Sequence, residues 1–231
     1  MKSIFSYDSP VMQILTYIGD LIILNFVYLL CCAPIFTIGA AQAGMYTAMR
    51  VLNDKEDESS PTAAFFRGFA SGVGKVTLAW GLVSLILVAV GATAILGVGA
   101  LALPTWVGIV SFCAAALFQC LVPAFHSRFG CTAMQLIRNS WFLLVAHPLR
   151  SLGVAALIWL PGAVFLIDGY IFMMVAPIWC TLYFSTAFLF SELFLRKPFK
   201  TLVDDFNEKN PQPVSEEEEK QEKIFSDTLE D

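Results

Sequence analysis

The sequence predicts an all-α, polytopic helical membrane protein, on three observations: its composition, the placing of its few charges, and the length of its apolar runs. Of 231 residues 57% are hydrophobic, 20 are Phe and 14% are charged, where a soluble domain carries about 25% charged residues. From Val76 to Leu195 the residues ionisable at neutral pH are Arg128, Arg138, Arg150, Asp168 and Glu192 with two histidines, His126 and His147. From Arg196 to Asp231 there are 6 Lys or Arg against 11 Asp or Glu, a balance of −5 that equals the formal charge of the whole chain. The apolar part is therefore neutral, and the acidic tail holds the imbalance.

A spanning helix needs about 20 mostly apolar residues, because the hydrocarbon offers its backbone no partner. Five runs meet that length: Val11 to Cys32, Val76 to Leu101, Thr105 to Phe125, Ser151 to Ile167 and Gly169 to Ser191. The first is read as a retained anchor, since it meets Pro34-Ile35-Phe36 in place of a small-residue cleavage site. Pro34 to Met49 adds a short, bent arm that either crosses back or re-enters. Pro34 lacks an N–H and Gly39 has free torsions, so Pro-x-x-Thr-x-Gly, with Thr37 inside it, marks a break between two helices or a tight turn that serves packing alone. Gly39, Gly44 and the alanines between them allow close helix approach.

Lys and Arg orient the set, because short cytoplasmic loops hold the basic excess. The stretch from Arg50 to Lys75 carries four basic residues, His126 to Arg150 carries three Arg, and Arg196, Lys197 and Lys200 open the tail. The alternate connections, Gly97 to Pro104 and the turn at Asp168, have none. This places both basic loops and the C-terminus in the cytoplasm. The N-terminus is outside if Pro34 to Met49 does not cross, and inside if it does.

Each cytoplasmic loop ends in a segment that reads as an interfacial helix, near 61–72 and 133–146. In the first, Pro61 follows Ser60 as a helix start, and Phe65, Phe66 and Phe69 flank Arg67 on one expected face. In the second, Met134, Ile137, Arg138, Trp141 and Phe142 repeat the plan. Docking onto a partner's cytoplasmic face is the other reading of both. The predicted division is thus a transmembrane domain, 1–198, and a largely flexible cytoplasmic tail, 199–231. The tail opens with a stripe at Phe199, Leu202, Val203 and Phe206, is interrupted by Asn210-Pro211-Gln212-Pro213, and ends with Ser215 and Glu218 able to cap a short acidic helix.

Ionisable residues inside a membrane are functional candidates, since each costs about 3 kcal/mol on insertion scales. Asp168 falls at a turn and Glu192 near a helix end, leaving Asp20 as the acid expected at depth, with the polar Asn25 five positions on. The six cysteines have no C-x-x-C spacing, and neither histidine is backed by clustered ligands. G-x-S-x-G, H-E-x-x-H and G-x-x-x-x-G-K-[ST] do not occur. No catalytic residue, cofactor site, metal site or nucleotide site is predicted.

Leu24-Asn25, Pro34-Ile35-Phe36-Thr37-Ile38-Gly39, Ala48, Phe65-Phe66-Arg67-Gly68-Phe69, Arg138-Asn139-Ser140 with Trp141, and His147-Pro148 together resemble the YesL family of small bacterial membrane proteins. The sequence departs from the usual family pattern at the glycine-rich Ala70 to Lys75, where a polar Asn and a basic residue would follow. The resemblance implies association with carbohydrate ABC importers of Gram-positive bacteria and carries no catalytic residues. The expected function is a non-enzymatic accessory subunit that contacts the permease subunits, and indirectly the solute-binding protein and ATPase; the alternative is an independent transporter or channel. Two faces rich in small residues, Gly39 to Ala48 and Gly91 to Ala100 with Gly97, are candidate partner contacts or internal packing faces.

Overall fold

The computed structural model describes residues 10–53, 60–96, 105–129 and 132–209. Among them there is no strand, and eight α-helices account for nearly all of the backbone: α1 (Pro10–Cys32), α2 (Ile38–Asn53), α3 (Pro61–Leu96), α4 (Thr105–His126), α5 (Ala133–Ala146), α6 (Pro148–Ile167), α7 (Gly169–Ile178) and α8 (Phe184–Lys209). A 3-10 turn, Ile35–Thr37, joins α1 to α2, and a π-turn, Trp179–Tyr183, joins α7 to α8. Five stretches are long and apolar enough to cross a membrane: Val11–Cys32, Pro61–Thr93, Trp106–His126, Pro148–Ile167 and Gly169–Thr201. The fold is that of a multi-pass helical membrane protein. The chain divides into two units, Met1–Leu195 and Arg196–Asp231; the account below concerns the first. Gly97, the Gly97 to Pro104 connection and the end of the tail with Ser215 and Glu218 lie outside the described residues.

The break at Pro34 has a local cause. Pro34 is extended (φ −78°, ψ 119°), and the Thr37 hydroxyl bridges back to the carbonyls of Cys31 and Pro34, both at 2.7 Å. Those bonds satisfy carbonyls left without helical partners where α1 ends. The 16-residue α2 is about 24 Å long at 1.5 Å per residue, and most of its side chains are buried within the chain. It is the enclosed centre of the bundle. Tyr46 from α2 and Tyr28 from α1 both meet the edge of Phe188 on α8, with ring centroids 5.1 and 5.3 Å apart.

Close approach of α2 to α3 follows from small residues on both. A Cβ on Gly44 would lie 2.8 Å from the Phe65 carbonyl oxygen, one on Gly68 would overlap the Thr47 side chain, and one on Gly39 would lie 2.9 Å from Trp80 Cγ. Only hydrogen fits at these crossings. The small-residue face of Gly39 to Ala48 is thus occupied inside the chain. Gly91 is used in the same way, since its added Cβ would come within 2.9 Å of the Phe112 ring on α4.

Residues 61–72 are continuous with the span that follows. They form the first turns of the 36-residue α3, about 54 Å long at the same rise, so its start and its span share one axis. Phe65, Phe66 and Phe69 do not share an outward face: Phe65 is fully buried beneath α2 and Phe66 is half exposed. Adjacent helical residues diverge by about 100°, which is enough to send one ring inward and the next outward. Phe65 stacks on Phe69 at 6.3 Å, while Arg67 points outward. The second segment is a separate helix, α5, opened by a reciprocal capping box between Thr132 and Gln135. Its Leu136, Ser140 and Leu143 are buried.

Candidate functional site

The last apolar stretch is interrupted near its middle. Pro177 closes α7 without an amide hydrogen, and from Trp179 the backbone widens into the π-turn before resuming as α8. A π-turn displaces carbonyls and amides from the regular ladder, and in hydrocarbon each must find another partner. Asn25, fully buried on α1, supplies them. Its Nδ2 donates to the Cys180 carbonyl at 2.6 Å and the Trp179 carbonyl at 3.3 Å, and its Oδ1 accepts from the Ser185 backbone N–H at 3.0 Å. The Ser185 hydroxyl donates to the Leu21 carbonyl at 2.6 Å. One side chain therefore ties α1 to both ends of the interruption.

A second polar junction lies where α4 ends. Arg128 is ion-paired with Glu192 of α8, whose side chain is 5% exposed. Arg50, near the end of α2, donates to the Ser127 carbonyl at 2.7 Å, and Ser71 of α3 meets His126 Nε2 at 3.1 Å. This corrects the expectation that Glu192 lies near a helix end. Glu192 lies well inside α8, on the buried face that also holds Ser185, Phe188 and Ser191, and its counter-charge arrives from 64 positions away. Asp168 does lie at a turn, where it caps α7 by accepting from the backbone N–H of Tyr170 at 2.8 Å and of Ile171 at 3.4 Å. Asp20 is half-buried on α1 and makes no side-chain bond among the described residues.

The third feature is lateral. Between α3, α4 and α6 an open groove of about 610 Å³ is lined by Val88, Phe112, Ala116, Trp159 and Ala163 among others. Gln119 at its wall donates to the Ser84 hydroxyl at 2.9 Å. The rim residues Phe165 and Leu166 are 56% and 85% exposed, so the groove opens outward on the side of the bundle.

Of the residues singled out in the sequence, the structure brings Asn25 to the π-turn and places Pro34, Thr37 and Gly39 at the α1–α2 break. It sets Gly44 and Phe65 in the α2–α3 crossing and leaves Arg138 and Trp141 exposed on α5. Arg128, Glu192, Ser185 and the groove residues were missed as a group, because each depends on a partner from a distant helix. The only local signal was polarity: Ser185 and Glu192 lie seven apart, on one face of an apolar helix. The five described cysteines are free thiols, and among the described residues no group of three or more His, Cys, Asp or Glu converges as metal ligands would. Asn25, Ser185, Glu192 and Gln119 each form a bond that ties one part of the bundle to another.

Residues 21–93 match the model of a family described as "Protein of unknown function, DUF624". The match includes Leu24 to Gly39 and Phe65 to Phe69, while Arg138 to Trp141 and His147-Pro148 lie outside it. No curated protein and no solved structure matches the chain.

Proposed function

We propose that this chain is a non-enzymatic accessory subunit of a carbohydrate ABC importer, seated in the bacterial cytoplasmic membrane with its C-terminus in the cytoplasm, where it packs against the permease subunits. The observation that carries the reading is the groove between α3, α4 and α6, an apolar concavity of about 610 Å³ on the lateral surface of the spanning helices. Without a hydrophobic drive between helices in lipid, association rests on shape and close packing, and a concave wall with Ala116, Gly162 and Ala163 offers both. The faces at Gly39 to Ala48 and around Gly91 are spent on internal contacts, so the partner surface moves to this groove. The class of partner comes from the YesL resemblance, of which the matched family segment, 21–93, covers the motifs from Leu24 to Phe69.

The interrupted α7–α8 stretch favours a second reading as an independent transporter, because broken helices at mid-membrane form ion and substrate sites in that class. Here Asn25 already engages the freed carbonyls of Trp179 and Cys180, which weighs toward the subunit. The test is co-purification from native membranes of the unmodified chain and of Ala116→Trp with Ala163→Trp, which fills the groove. Permease subunits should be recovered with the first and lost with the second, while Leu30→Trp, at a position 74% exposed on α1, retains them. Recovery of a monomer that conducts a sugar by itself in liposomes would replace this reading by the transporter one.

A further inference from the structure

Helix α5 has an outward stripe that the bundle does not use. Met134, Arg138, Trp141, Phe142 and Val145 are all exposed, spaced i, i+4, i+7, i+8 and i+11, while the opposite face is buried through Leu136, Ser140 and Leu143. Met134 and Val145 are 75% and 67% exposed, a patch that a soluble surface would seldom leave open. The position of α5 says what lies over it. It joins two candidate spans, the one ending at His126 and the one beginning at Pro148. Its 14 residues extend about 21 Å, too short to cross a hydrocarbon layer of about 30 Å. It packs against α3, α4 and α6, and a helix that joins two spans without crossing belongs at the boundary of the bilayer.

Charge narrows the occupant. From His126 to Arg150 there are three Arg and no Asp or Glu. Arg128 is engaged with Glu192, whereas Arg138 and Arg150 make no ion pair among the described residues. Arg138 stands within the apolar stripe, where its methylenes can lie along Trp141 and Phe142 while the guanidinium rises to phosphate level. Just beyond, Ala146, His147, Pro148, Leu149 and Arg150 line an open cleft of about 250 Å³ at the elbow between α5 and α6. We propose that α5 and this elbow form a binding surface for anionic phospholipid, with the stripe seated among the upper acyl chains and Arg138 and Arg150 each meeting headgroup phosphate. An anionic headgroup is preferred because two guanidinium groups that make no ion pair among the described residues gain most from a lipid without its own ammonium.

The test uses the full chain released from nanodiscs that contain phosphatidylglycerol and phosphatidylcholine in equal amounts, with retained lipid counted by native mass spectrometry. The unmodified protein should retain phosphatidylglycerol preferentially. Each arginine is expected to contribute about fivefold to that preference, from roughly 1 kcal/mol per basic residue at an anionic surface. Arg138→Gln with Arg150→Gln should lower it by about twenty-five-fold with no change in helical content, and inorganic phosphate should not displace the lipid. Trp141 emission, taken as the difference from Trp141→Phe, should be quenched by lipids brominated high on the chain. Equal retention of the two lipids, or an unchanged preference in the double variant, would overturn the proposal. So would shielding of Trp141 from brominated lipid by another protein in native membranes.

Discussion

Replacing Asn25 by Leu tests whether the tie between α1 and the π-turn holds the last span in place. The substitution keeps the branched shape, with the same number of heavy atoms, and suits the apolar helix, yet removes one acceptor and two donated bonds at once. The Cys180 carbonyl loses a partner at 2.6 Å, the Trp179 carbonyl one at 3.3 Å, and the Ser185 amide one at 3.0 Å. Side-chain hydrogen bonds inside membranes average about 0.6 kcal/mol and reach about 1.7 kcal/mol, so three come to about 2–5 kcal/mol. The upper part of that range applies if the π-turn cannot relax, because a buried polar group left unpaired costs about 1–3 kcal/mol. Ser185→Ala is the graded comparison: it removes the hydroxyl bond to Leu21 but keeps the backbone bond to Asn25, and should cost about 0.6 kcal/mol on the same scale. Thr16→Val on the exposed side of α1, where the hydroxyl bonds only its own helix, should change nothing. Reversible unfolding of the full chain in mixed micelles measures all three, and hydrogen exchange at the Ser185 amide reports the tie directly. If Asn25→Leu unfolds within 0.5 kcal/mol of Ser185→Ala, on the scale of a single intramembrane bond, Asn25 does not hold the interrupted span.

Two further outcomes follow from the packing. Gly44→Leu and Gly68→Leu should each destabilise by about 1–3 kcal/mol or more through overpacking, because a side chain there meets the Phe65 carbonyl or Thr47. Gly74→Leu, with open space around its Cβ, should be tolerated; the same unfolding titration separates the cases, and equal effects at Gly74 and Gly44 would remove the close-crossing explanation. For the ion pair, Arg128→Met or Glu192→Met alone leaves a charge in a site where the carboxylate side is 5% exposed, at a cost of about 3–5 kcal/mol. The double variant should recover much of that loss, and a double-mutant cycle showing simple additivity would mean that the two charges are not coupled.

Local physics accounts for what the sequence determined by itself. Apolar length predicted five spans because the hydrocarbon imposes it on every helix separately. The break at Pro34 was legible because proline and the Thr37 hydroxyl act within one turn of chain, and α5 was legible because its stripe of Met134, Arg138, Trp141 and Phe142 lies within its own 14 residues. The tertiary structure alone decided which polar groups meet. Asn25 and Glu192 look equally isolated in the chain, yet Asn25 finds its partners about 155 residues away at the π-turn, and Glu192 finds Arg128 64 positions away. Packing also decided that Phe65 turns inward, that the glycines of α2 serve an internal crossing, and that α3, α4 and α6 leave a groove between them. Such contacts depend on which helices become neighbours and at what distance. Hydrophobic periodicity carries no record of either, because every spanning helix satisfies the membrane equally well before it chooses a partner.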